Sequence, residues 1–436
     1  MRAYITESFQ FLILLTTVVF AGVYGSLFIY AVLPAFIFLL KQKKMYAELL
    51  ISFFLILILS DSRQPGLAFA ENLKNVYIVL LALFFFFDNK EFVPVNKIYQ
   101  VFIPFFIISL ICIFFSESYF SSIQKTFSYF LVLIVVSNMT FKLIRENAQS
   151  FLSKLIYFGV LILLLGLVFK FTFPHIVILE GRYCGILGNP NGLGVFCFLF
   201  FLLFSVVNHF YPDLLSRSEK LLAIVAIGIS VILCESRSAI FSVIIFLLFQ
   251  YFYRISSFLG FIVFLSSLFV YQYVSANIVN IVSYLGLETY FRFETLDTGS
   301  GRIIAWDFAW QNIQQEMFLG KGFSYTEYLY KKNYTFLSME GHQGNAHNSY
   351  LTFWLDTGLI GLVLYLFAFI TSFIKAARNS SIAIPAMYAI MFSAFFESWL
   401  VGSLNPDTIQ VWMILTLLLS LGEKSVENKN AIQVIG

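Results

Sequence analysis

The sequence predicts an all-α protein that crosses a membrane many times, and three observations predict it. Hydrophobic residues make up 60% of the 436 residues and charged residues only 12%, where a soluble domain carries about 25% charge. Apolar runs recur along the chain, many of them close to the length a helix needs to cross a bilayer. The basic residues sit in short polar stretches between those runs and alternate from one stretch to the next. The mean hydropathy of +0.86 agrees with this class. The net charge of +3 comes from scattered residues, so the chain offers no basic face for nucleic acid.

A spanning helix takes about 20 apolar residues. Phe9 to Leu40 is long enough for two, broken around Gly22 to Gly25. Further runs follow near Ala47 to Ser60, Asn75 to Phe87, Val101 to Phe115, Phe127 to Val136, Phe151 to Phe173, Gly192 to Phe210, Leu221 to Cys234, Ala239 to Tyr253 and Phe258 to Val274. Leu351 to Ile374, Ile382 to Leu400 and Val411 to Leu421 complete the set, for about 12 to 14 spans. Met1 to Gln10 leads into apolar sequence without a small-residue cleavage site, which reads as a retained first span. The expected organisation is an N-terminal bundle (1–174), central helices with outer-face arginine motifs (175–274), a long polar loop with short amphipathic helices (275–348), and C-terminal helices with a cytoplasmic tail (349–436). Cys112, Cys184, Cys197 and Cys234 have no metal-binding spacing, and read as packing residues.

Cytoplasmic loops collect Lys and Arg. Lys41, Lys43 and Lys44, then Lys90 and Lys97, then Lys142, Arg145 and Lys154 mark one side, and Arg217, Lys220, Arg254, Lys375, Arg378, Lys424 and Lys429 continue it. The loop from Ser275 to Asn348 then falls on the opposite, extracytoplasmic side, together with Arg182, Arg237 and Arg302. Arg63 and Arg292 share that side without a suggestive context. Arginine on the side depleted of basic residues marks either a functional site or an interfacial ion pair, for instance with Glu180 or Glu235.

The stretch Gly341 to Tyr350 closes the long loop and places His347 directly before an apolar helix. Its imidazole takes a proton near neutral pH. His342 competes for that role, and Asn345 and Asn348 are placed to orient a ring or a sugar hydroxyl. Gly181 to Gly192 is a glycine-rich approach to a helix, either an anion site or a tight turn capped by Asn191. Ser300-Gly301-Arg302 leads into an amphipathic pattern containing Trp306 and Trp310, suited to lying along the outer leaflet. Two or three guanidinium forks facing one cavity fit a pyrophosphate. No Asp-x-Asp, HExxH or Walker A motif is present, and His342 and His347 lack a second Cys or His pair, so neither a metal nor another cofactor is expected. The loop aromatics Tyr325, Tyr328, Tyr330, Tyr334 and Phe336 are either sugar platforms or packing.

The ordered set Arg182 with Gly188-Asn189-Pro190-Asn191, Ser236-Arg237, Ser300-Gly301-Arg302 with Trp306, Gly320-Lys321-Gly322, and Ala346-His347-Asn348-Ser349-Tyr350 with Gly358-Leu359-Ile360-Gly361 resembles the bacterial O-antigen polymerase and O-antigen ligase superfamily. The resemblance runs from Arg182 to Gly361; the first part of the chain matches only as generic spans. It implies an inverting, metal-independent glycosyltransferase of the inner membrane, active on the periplasmic face on a glycan carried by undecaprenyl pyrophosphate. It implies His347 as the base, and Arg237 and Arg302, with Arg182 as a third, on the pyrophosphate. Asn191, Asn348 and Lys321 join the expected substrate-binding set. The implied partners are the lipid-linked oligosaccharide, membrane lipid, an acceptor and a chain-length regulator. A lipid-linked repeat unit as acceptor makes a polymerase, favoured here by the Phe-rich first part, and lipid A core makes a ligase. A lipid-glycan flippase is the reading from another class, and it calls for charges deep within the spans.

Overall fold

The computed structural model describes residues 2–87, 97–277, 280, 283–284, 302–342 and 344–435. Lys90, Arg292, Ser300, Gly301 and Gln343 lie outside the described residues. The described chain is helical apart from one two-stranded antiparallel ladder, β1 (Ile178–Leu179) with β2 (Arg182–Tyr183). Pro65–Phe84, Tyr119–Thr172, Pro190–Phe210 and Ser349–Ala377 are long and apolar enough to cross a membrane, and shorter apolar helices accompany them. The protein is therefore a multi-pass helical membrane protein.

The chain forms two compact units. The first comprises Met1–Tyr99, Ser128–Ile240 and Ser403–Gly436. Its first two helices, α1 (Arg2–Tyr24) and α2 (Ile29–Gln42), separate at Gly25, where the sequence predicts a break. Next come α3 (Tyr46–Asp61) and α4 (Phe69–Phe87), which pack on each other. After α5 (Ile103–Ile113) of the second unit, α6 (Tyr119–Thr172) runs for 54 residues with a break at Asn147. Unbroken it would extend about 80 Å, against roughly 30 Å of hydrocarbon. The break at Asn147 divides it into two segments, one for each of the two runs read separately in the sequence. A short turn, α7 (Pro174–Val177), leads into the ladder. The core helix, α8 (Pro190–Phe210), is apolar on every face and largely buried, as a helix with no water-facing side must be. It packs against α9 (Arg217–Leu233), which begins with a Ser216/Glu219 capping box, and against the last helix.

The second unit comprises Gln100–Phe127 and Phe241–Gly402. It contains most of α10 (Arg237–Ile255) and α11 (Ser257–Ala276), then α12 (Arg302–Ile313), α13 (Tyr325–Lys332) and α14 (Tyr334–Met339). Two apolar helices follow, α15 (Ser349–Ala377) and α16 (Ala383–Phe396). The last helix, α17 (Pro406–Ile435), returns to the first unit. Helix α15 is the spine of the second unit and packs against α5, α12 and α16. Phe353 stacks on Tyr365 at 4.1 Å between ring centres, with Phe105 edge-on to both.

The small face of α12 packs inward. Ala305, Ala309 and Ile313, four residues apart, are buried with Tyr325, Leu329, Tyr330 and Leu355. Tyr330 donates to the Ala305 carbonyl at 2.5 Å. Tyr325 and Tyr330 therefore pack the loop, whereas Tyr334 and Phe336 stay exposed. All four cysteines are buried thiols, as the sequence suggests.

Candidate active site

His347 is held from both sides in sequence. Asn348 caps α15, its side-chain oxygen accepting from Tyr350 N at 2.9 Å and Leu351 N at 3.0 Å. Such a cap is worth about 0.5–2 kcal/mol. The Asn345 side chain accepts from His347 N at 3.0 Å. These bonds hold His347 in the left-handed region at φ 44°, a cost of about 1–2 kcal/mol for a residue with a Cβ. The loop is joined to the segment after α16: Asn348 N donates to Ser398 Oγ at 3.0 Å, and Ser349 Oγ donates to the Glu397 carbonyl at 2.7 Å.

That junction brings in Glu397, a residue the sequence reading passed over inside the apolar run Ile382 to Leu400. Helix α16 ends at Phe396, and Glu397 is extended (φ −145°, ψ 149°) and only 7% exposed. One carboxylate oxygen accepts from Arg302 Nη2 at 2.5 Å, and the other lies 3.1 Å from His347 Nδ1. Burial pushes this carboxyl up, but Arg302 and His347 outweigh it and hold it below its ordinary value. An ionised carboxylate only accepts, so Nδ1 of His347 points its hydrogen at Glu397, and in the neutral imidazole Nε2 is then the basic nitrogen. The available signal was a carboxylate in an apolar run, a position that marks function by default.

The competing histidine is differently placed. His342 is 2% exposed, with Nε2 3.0 Å from the Asn345 carbonyl. Burial and then the neighbouring His347 hold its pKa below the ordinary value. The imidazoles of His342 and His347 stand edge to face, 6.0 Å apart. Trp306 Nε1 donates to the Ala346 carbonyl at 2.9 Å and its ring meets Phe395 at 5.4 Å, tying α12 to the histidine loop.

Gly320-Lys321-Gly322 straps across a break in α15 at Gly358 (φ 74°, ψ 175°). A Cβ on Gly358 would lie 2.2 Å from the Phe318 carbonyl, so only glycine lets the strands meet. Lys321 Nζ pairs with Glu316 at 3.2 Å and Glu117 at 4.0 Å. Beneath the strap, the fully buried Asp356 accepts from Ser324 N (3.0 Å), Thr326 N (2.8 Å) and Thr326 Oγ1 (2.7 Å), and lies 3.9 Å from Lys125 Nζ.

In the first unit, Glu180 and Gly181 both have positive φ and form the two-residue turn between β1 and β2. Arg182 follows, its Nη2 donating to Asn191 Oδ1 at 3.0 Å and the Cys234 carbonyl at 2.7 Å. The cap of α8 is Asn189, which accepts from Asn191 N at 2.8 Å, with Pro190 first in the helix. The sequence reading put Asn191 in that role; the earlier cap frees the Asn191 side chain to hold Arg182. Arg237 is half-buried at the first residue of α10, after Glu235 at φ 52°. Buried Ser236 packs against Gly194, where a Cβ would come within 2.4 Å. Two groups thus form, each within one unit: Arg182 with Asn191, and Arg302 with Glu397 and His347.

Fold and site define a multi-pass helical membrane protein in which a buried carboxylate joins a guanidinium to an imidazole at the end of an apolar helix. Residues 222–366 match the family model described as O-Antigen ligase, so over that segment the chain is similar to the superfamily that its motifs resemble. The segment contains Arg237, Arg302, Lys321, His347 and Asn348, and leaves out Arg182, Asn191 and Glu397. A protein described as a polysaccharide ligase in Rickettsia felis is 26% identical over 125 residues, covering 28% of this chain and 30% of the relative. A protein of the same description in Rickettsia typhi is 25% identical over 127 residues, 28% of this chain and 31% of the relative. The chain thus spans under a third of the length of the curated relatives it matches.

Proposed function

We propose that this protein is a metal-independent, inverting glycosyltransferase of the O-antigen ligase type, working at the periplasmic face of the inner membrane on a glycan linked to undecaprenyl pyrophosphate. The observation that carries the reading is the Glu397 carboxylate shared between Arg302 and His347. In this reading about 12 to 14 spans hold the region 275–348 outside the membrane. The acceptor hydroxyl donates its proton to Nε2 of His347 as its oxygen attacks the anomeric carbon, and the bond from that carbon to the pyrophosphate oxygen breaks on the opposite face. Glu397 keeps the imidazole in the basic tautomer and stabilises the imidazolium that forms.

Arg302 has further N–H groups beyond the one given to Glu397, and with Arg237 and Arg182 these bind the departing anion. Arg182 suits that task because its two hydrogen bonds go to neutral oxygens, which leaves its charge uncancelled. Asn191 holds Arg182, Asn348 holds the histidine loop, and Lys321, paired with Glu316 and Glu117, serves as a substrate-binding residue in this reading.

The matched family description and the names of the relatives favour a ligase, acting on lipid A core or another acceptor; the polymerase reading rests on the Phe-rich first part. One gel separates them. A deletion host carrying His347→Ala is compared with one carrying the wild type. Bare core with accumulated lipid-linked polymer identifies a ligase, core capped by a single repeat unit identifies a polymerase, and an unchanged ladder refutes the role of His347 and turns the reading to His342 or to a flippase.

A further inference from the structure

The basic nitrogen of His347 is approached across bare backbone. Gly344 is exposed and lies at φ +138°, and a Cβ built on it would stand 3.0 Å from His347 Nε2. That separation is hydrogen-bonding distance, so a methyl at residue 344 would occupy the place an acceptor oxygen needs in order to reach the nitrogen. The other ring nitrogen is taken by Glu397, and the neighbouring His342 is buried with its Nε2 bonded to the Asn345 carbonyl. Among the described residues Nε2 of His347 has no hydrogen-bond partner, and the missing side chain at Gly344 leaves space beside it.

We propose that Gly344 forms the acceptor notch of this site: the acceptor hydroxyl reaches His347 Nε2 over the Gly344 backbone, and the notch admits a hydroxyl carried on a sugar ring. The inference rests on the catalytic reading of His347. It adds a specificity element to that reading, because a side chain at residue 344 would enter the space beside Nε2.

Gly341 supplies the control for backbone strain. It also has positive φ (+90°), but a Cβ there meets nothing within 4 Å. Transfer rates are measured in membrane vesicles prepared from the host lacking its own copy, using that host's lipid-linked glycan and acceptor, with immunoblots for abundance. Gly344→Ala is expected to lower the rate at least about 100-fold, the loss of base catalysis, while Gly341→Ala at equal abundance stays close to wild type. Equal rates for the two variants, with His347→Ala inactive, overturn the notch and leave the transferase reading standing. An active His347→Ala overturns both.

A second measurement needs no variant. Diethyl pyrocarbonate treatment of the native wild-type protein, read by peptide mass spectrometry, is expected to modify His347 and spare His342. An unreactive His347 overturns the proposal even if Gly344→Ala does not accumulate.

Discussion

Exchanging Glu397 for Gln keeps the shape of the side chain and removes its charge. In the native site the carboxylate accepts from Arg302 at 2.5 Å and from His347 Nδ1 at 3.1 Å. A glutamine amide cannot serve both. With its NH2 toward Nδ1, it drives the imidazole hydrogen onto Nε2 and abolishes the basic nitrogen. With its oxygen toward Nδ1, the NH2 faces the Arg302 guanidinium, donor against donor. Either outcome removes one charge-assisted bond worth about 1.5–3 kcal/mol. Loss of a positioned base costs about 100- to 10,000-fold in rate. Glu397→Gln is therefore expected to transfer glycan at least about 100-fold more slowly. Glu397→Asp keeps the charge on a shorter stem and should fall between. The assay is the initial rate of glycan transfer in membrane vesicles at matched abundance. A Glu397→Gln rate within about threefold of wild type, about 0.65 kcal/mol of the transition-state barrier, would refute the tautomer argument.

Acidity should weaken the folded protein from two directions of the same sign. Burial raises the Glu397 pKa, but Arg302 and His347 bring it below its ordinary value, so its contribution is complete above that value and is lost as pH falls through the lower folded one. Burial and His347 lower the His342 pKa below 6.5, so below that pH the unfolded chain takes up the proton first. The melting temperature of the solubilised protein should drop between about pH 7.5 and about pH 5.5 through His342, and fall further only below pH 4.5 through Glu397; a flat or rising curve in the upper window refutes the His342 contribution. Asp356→Ala leaves the buried Ser324 and Thr326 amides without their acceptor, a loss of about 3–5 kcal/mol, seen as a collapse of membrane abundance; Asp356→Asn keeps one acceptor oxygen for Thr326 but turns its NH2 toward the Ser324 amide, and recovers only part of it. Arg182→Ala should raise the KM for the lipid-linked donor about tenfold, one charge-assisted bond, at unchanged abundance; an unaltered KM removes Arg182 from the donor site. Chelators should leave the rate unchanged.

Local signals were readable where the chemistry is local. The apolar runs marked the helices, Gly25 divided the first two, and Arg302 opened α12. Asn348 lies next to His347 in sequence, and a polar residue before an apolar run is a cap signal by itself. The Asn189 cap was less legible, because three of the four residues Asn189-Pro190-Asn191-Gly192 are compatible with a helix entry and only backbone geometry chooses among them.

The sequence alone determined that this is a helical membrane protein, with its arginines and His347 at the ends of apolar runs, because hydropathy and helix length are properties of contiguous residues. Tertiary structure decided the chemistry. Arg302 and Glu397 are 95 residues apart, and Glu397 and His347 are 50 apart; no periodicity reaches across such distances. What joins them is the packing of α12 and α16 against α15, which carries a carboxylate hidden in an apolar run to the guanidinium and the imidazole that share it. Only that contact decides which imidazole nitrogen is basic.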